Sequence, residues 1–155
     1  MIRLAKILVP VDFSDYSRSA VQYGCELAKK FSAEVTFIHV VEDIYPLIAD
    51  PGMMLATPVD LTRQFREGAE KGLQTFIPAE WLEGLSVKRE VLTGTPFLEI
   101  VRYAREQQFD LIVITTHGRS GLAHVLMGSV AEKIVRKSTC PVLTVRPEGH
   151  NFVMP

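Results

Sequence analysis

Hydrophobic periodicity switches repeatedly along this chain, and that alternation restricts its fold more than any other feature. Short, nearly continuous apolar runs suit strands covered on both faces, as in a parallel sheet. Between them lie stretches whose apolar residues recur at helical spacing, the mark of helices lying on such a sheet. Lys6 to Val11 is the first run, and from Ser14 onward Ala20, Val21, Gly24, Leu27, Ala28 and Phe31 take up the helical period. Glu34 to Val41 then returns to β-rich sequence after a gap that allows only a tight turn, completing a βαβ unit.

The same alternation continues to the end. Leu61, Phe65, Ala69, Leu73 and Phe76 predict a second helix ending before Pro78, because the residue preceding a proline avoids helical angles. Leu85 to Leu92 reads as strand three. A third helix starts at Thr95-Pro96, with a capping hydroxyl and a first-turn proline, and buries Phe97, Ile100, Val101 and Ala104. Asp110 to Thr115 is strand four, Ser129 to Lys137 the last helix and Pro141 to Arg146 strand five. Glu42 to Pro58, interrupted by Pro46, Pro51 and Gly52, is expected to be irregular and to serve as a lid, an interface or a loop. The expected class is α/β: one open five-stranded parallel sheet with helices on both faces, occupying residues 1–147 and followed by a tail, 148–155. Ligands of such sheets sit at the carboxyl ends of the strands, where the strand order reverses.

Composition removes several functional classes. A chain of 155 residues can bury ~70 % of its unfolded surface without a metal or disulfide staple. With 17 Lys plus Arg against 18 Asp plus Glu, no basic excess exists to neutralise a nucleic-acid backbone. Cys25 and Cys140 have no C-x-x-C spacing and read as reduced thiols. No apolar stretch reaches the ~18 residues of a membrane span, and no signal-peptide cleavage site follows the first apolar run. A cytoplasmic protein is expected.

Three features fall at the carboxyl ends of strands: Pro10-Val11-Asp12, His39-Val40-Val41 and Thr115-Thr116-His117-Gly118-Arg119. Nine residues after Gly118 come Gly128-Ser129 and the last helix. Glycines let backbone N–H groups approach phosphate oxygens, and a helix N-terminus adds unpaired donors and a favourable dipole. Ser129 also opens an S-x-x-E capping box, which needs no ligand. Asp12 reads equally as a ribose or Mg2+ ligand and as a turn former. Arg119 reads as a phosphate fork or as a solvated surface charge. Walker A and G-x-G-x-x-G are absent. His39, His117, His124 and His150 lack metal-ligand spacing, and a Ser14–His39–Asp12 triad lacks a nucleophile elbow, so no catalytic or metal residue is assigned.

The chain resembles the universal stress proteins, whose nucleotide-binding members carry Gly-x2-Gly-x9-Gly-Ser/Thr before a helix; here Thr115-Thr116-His117-Gly118, nine residues, and Gly128-Ser129 occupy that motif. The likeness runs from Lys6-Ile7-Leu8-Val9-Pro10-Val11-Asp12 to Cys140-Pro141-Val142-Leu143-Thr144-Val145. It implies a Rossmann-like fold of the adenine nucleotide alpha hydrolase type with strand order 3-2-1-4-5. It implies ATP as ligand, and the Asp12 carboxylate leaves room for Mg2+ beside it. Asp12 and the Val40 backbone would lie near the adenosine beside a wall of Pro10 and Val11. Gly118, Arg119, Gly128, Ser129 and Val130 would hold phosphates, with His117 between the two groups. Thr115 departs from the family's first motif glycine and puts a β-branched side chain where the backbone approaches the ribose. Strand five is an apolar edge that invites two-fold pairing, and the resemblance likewise implies a homodimer. Three readings stand: a dimeric ATP-binding module of stress response or signalling acting on an unknown protein partner, a slow Mg-dependent ATPase or phosphotransferase, and a nucleotide-free dimeric scaffold.

Overall fold

The computed structural model describes residues 3–42, 58–116 and 127–146, and in them the alternation of periods becomes strands and helices in turn. The elements are β1 (Lys6–Pro10), α1 (Asp15–Phe31), β2 (Glu34–Val41), α2 (Pro58–Thr75), α3 (Ala79–Leu82), β3 (Ser86–Thr93), α4 (Pro96–Glu106), β4 (Leu111–Thr115), α5 (Ser129–Lys137) and β5 (Val142–Val145). The five strands form one parallel sheet in the order β3-β2-β1-β4-β5, as the resemblance implies. Expectations for the tail 148–155 and for most of Glu42 to Pro58 concern residues outside those described.

Continuous apolar runs are required because successive strand residues point to opposite faces and both faces are covered. Ile7 and Val9 of β1 join the core under α1 and α2, together with Val35, Phe37 and Val113. Leu8 points the other way, to Ile38, Ile112 and Ile114 under α4 and α5. Ser14 caps α1 by accepting the Ser17 N–H at 3.2 Å, and Ser32 ends it in the left-handed conformation with φ 52°.

The structure corrects four local expectations. A one-turn helix, α3, lies between α2 and β3, a stretch too short to show a helical period. Phe31 and Phe65 are 42 % and 53 % exposed rather than buried. Phe31 is the last residue of α1, where the chain turns away into β2, and Phe65 faces the cleft described below. Thr95 does occupy the N-cap of α4, but its hydroxyl makes no capping bond.

One core position breaks the apolar rule. Thr36 in the middle of β2 is buried, and its hydroxyl has no hydrogen-bond partner among the described residues. Burying such a group costs about 1–3 kcal/mol, whereas valine has nearly the same shape. Thr36→Val should therefore raise the unfolding free energy by about 1 kcal/mol, read as a higher urea midpoint at unchanged slope.

Candidate functional site

The sheet order reverses at β1, which lies between β2 and β4, so a crevice is expected at their carboxyl ends. Past β1, the Val11 N–H still donates to Ile38 O at 2.8 Å. The buried His39 ring places Nδ1 2.7 Å from Val11 O, which fixes Nδ1 as the donor. Asp12 Oδ1 accepts both the N–H and the hydroxyl of Ser14, at 3.0 and 2.5 Å. This is an Asx turn, so the turn-forming reading of Asp12 holds. Ser14 and Asp12 bond to each other directly rather than through an imidazole, which is not the wiring of a Ser–His–Asp triad.

On the other side of the crevice, Thr115 ends β4 in register with Val145. Thr116 links three elements: its N–H donates to Val145 O at 3.0 Å, and its carbonyl accepts the Gly128 N–H at 2.6 Å. Gly128 is the N-cap of α5, with φ −64° and ψ 150°, a conformation open to any residue. Ser129 is thus the first helical residue and is exposed, not the cap expected from the S-x-x-E pattern. Glu132 pairs with Arg136 at 3.1 Å, and no side chain caps the helix. The first bond of the helix runs from Glu132 N–H to Gly128 O, so the amides of Ser129, Val130 and Ala131 precede it. Gly128 contributes to the crevice by lacking a side chain, since its own amide is engaged.

These termini enclose a cleft of about 820 Å³. It brings together Pro10, Val11, Asp12, Val40, Thr115, Gly128, Ser129 and Val130 of the residues singled out from the sequence. His117, Gly118 and Arg119 lie outside the described residues. Sequence reasoning missed the wall supplied by α2, where Gln64, Phe65, Gly68, Ala69 and Gly72 line the cleft. A signal was there to be read: two glycines four residues apart within one helix, each disfavoured by about 1 kcal/mol against alanine. Pro96 and Ile100 of α4 and Thr116 complete the far side.

Neither Cys25 nor Cys140 is among the described residues that line this cleft. Burial pushes the Cys25 thiol up to about 11, with Lys29 opposing and Glu26 adding to the shift, so it stays protonated at neutral pH. No helix among the described residues is long and apolar enough to cross a membrane.

The sequence model of the universal stress protein family matches residues 4–146. Universal stress protein MJ0531 of Methanocaldococcus jannaschii is 38 % identical over 143 residues, spanning 91 % of this chain and 81 % of that protein. Among solved structures, the universal stress protein UspA from Lactobacillus plantarum superposes with a TM-score of 0.79 at 26 % identity, covering 93 % of this chain and 99 % of that one. A universal stress protein from Archaeoglobus fulgidus, solved in complex with dAMP, superposes with a TM-score of 0.55 at 20 % identity, covering 93 % of this chain and 98 % of that one.

Proposed function

This chain belongs to the universal stress protein family, and we propose that it is a cytoplasmic ATP-binding module that pairs as a homodimer through β5 and passes its nucleotide state to a protein partner in stress response or signalling. One observation carries the nucleotide reading: the start of α5 and the Pro10-Val11-Asp12 end of β1 face a single cleft at the point where the strand order reverses. The amides of Ser129, Val130 and Ala131 supply donors and a favourable dipole for phosphates. Pro10, Val11 and Val40 offer an apolar wall for a base, and Asp12 a carboxylate for ribose hydroxyls. On the family's pattern, Gly118 and Arg119 would add to the phosphate side and His117 would lie between the phosphate and adenosine groups. Mg2+ would be held by the phosphate oxygens, which leaves Asp12 to the ribose hydroxyls. The dAMP complex of the Archaeoglobus protein supports an adenine nucleotide on this fold, though at 20 % identity it lends no contacts.

Thr115 departs from glycine without backbone strain. It sits in regular β4 pairing and has no left-handed backbone, so no conformational demand for glycine exists at this position.

The two sheet edges support pairing through β5. Edge strand β3 exposes Lys88, Arg89 and Glu90, the kind of charge that blocks edge-to-edge association. Edge strand β5 is Val142-Leu143-Thr144-Val145 and carries no charge. Native mass spectrometry of the purified protein tests both halves of the proposal. The expected species is a dimer carrying adenine nucleotide, or one that takes it up when ATP is added. A monomer argues against the β5 pairing, and a protein that takes up no ATP sinks the nucleotide reading.

A further inference from the structure

Asp12 stands between two residues whose backbones are held by side chains from other elements. On its N-terminal side, His39 Nδ1 donates to the Val11 carbonyl at 2.7 Å. On its C-terminal side, Phe13 has φ 62°, a left-handed conformation that a bulky aromatic residue rarely adopts. Such backbones persist only where the surroundings over-determine them. Here the surroundings are rings: Phe13 stacks on His39 with centroids 4.4 Å apart and meets Phe76 edge-on at 5.6 Å.

The third support is a missing atom. A Cβ built on Gly72 of α2 would come within 2.9 Å of Phe13 Cζ and 3.0 Å of Cε1. Gly72 has no positive φ, so its own backbone does not call for glycine inside an 18-residue helix. His39 and Phe76 flank the ring, so a shift of Phe13 away from a Cβ at residue 72 would disturb those two ring contacts. Phe13 is also the middle residue of the turn in which Ser14 donates twice to Asp12 Oδ1. Its φ therefore sets the distance between Asp12 and Ser14, and with it the direction of the carboxylate.

We propose that Phe13, seated on Gly72 of α2 and stacked on His39, is the positioning residue that aims Asp12 at the sugar hydroxyls of the bound nucleotide. This inference rests on the nucleotide reading above. It makes α2, through Gly72, a determinant of ribose recognition.

The test is calorimetric titration of the wild type, Gly72→Ala and Phe13→Leu with ATP and with 2′,3′-dideoxy-ATP, which lacks the hydroxyls Asp12 would receive. Both substitutions should weaken ATP binding about tenfold, the loss of one charge-assisted hydrogen bond, and leave dideoxy-ATP binding unchanged. In an Asp12→Ala background, Gly72→Ala should have no further effect on ATP affinity. Equal weakening of both nucleotides would mean general damage to the cleft and overturn the inference, as would unchanged ATP binding by the two variants. If the wild type itself binds neither nucleotide, the function proposed above fails, and the positioning role fails with it. Phe13→Leu keeps the test decisive should Gly72→Ala not fold.

Discussion

Gly128→Val is expected to weaken ATP binding by about 100-fold or more while the dimer persists. The backbone at Gly128, φ −64° and ψ 150°, suits valine, so the effect cannot be ascribed to strain. Gly128 lines the cleft immediately before the amides of Ser129, Val130 and Ala131. A branched side chain there would add bulk to the cleft beside those donors, where a phosphate is proposed to sit. Removing two charge-assisted hydrogen bonds of about 1.5–3 kcal/mol each accounts for a loss of that size. Replacing a glycine N-cap by valine lowers helix stability by no more than about 1 kcal/mol, too little to unfold a domain of this size. Calorimetric titration gives the affinity and sedimentation the oligomeric state. Retained affinity with an intact fold would show that the start of α5 does not hold the phosphates.

The second large effect concerns stability, and its sign opposes helix propensity. Gly24 lies inside α1, where alanine is favoured over glycine by about 1 kcal/mol. A Cβ at Gly24, however, would sit 2.5 Å from Val9 Cγ2 of β1. Val9 is fully buried, and overpacking of this kind costs about 1–3 kcal/mol or more. The clash outweighs the gain in helix propensity, so Gly24→Ala should destabilise the protein by about 2 kcal/mol and lower its Tm by about 4–8 °C. Adding Val9→Ala should recover part of that loss, giving a double variant less destabilised than the sum of the two single ones. A Gly24→Ala protein as stable as the wild type would mean that α1 and β1 can separate without penalty. The pair matters for function because β1 leads directly into Pro10, Val11 and Asp12.

What the amino-acid sequence determined by itself was the class and order of elements. Continuous apolar runs such as Ile7-Leu8-Val9 demand two covered faces, and helical-period stretches such as Ala20 to Ala28 supply the cover, so a parallel α/β sheet follows from local patterning alone. The glycine and proline punctuation and the Gly128-Ser129 start of α5 were legible for the same reason: each acts through its own backbone or that of its immediate neighbours. Only the tertiary structure decided which of two side-chain roles was realised. Ser129 has the sequence of a capping box, yet the Gly128 amide bonds to Thr116, Gly128 rather than Ser129 takes the cap position, and Glu132 pairs with Arg136 instead. The α2 wall of the cleft and the seat of Phe13 on Gly72 were likewise decided in three dimensions. They join residues from separate elements, whose contact depends on how helices settle on the sheet, and no periodicity within either segment encodes that distance.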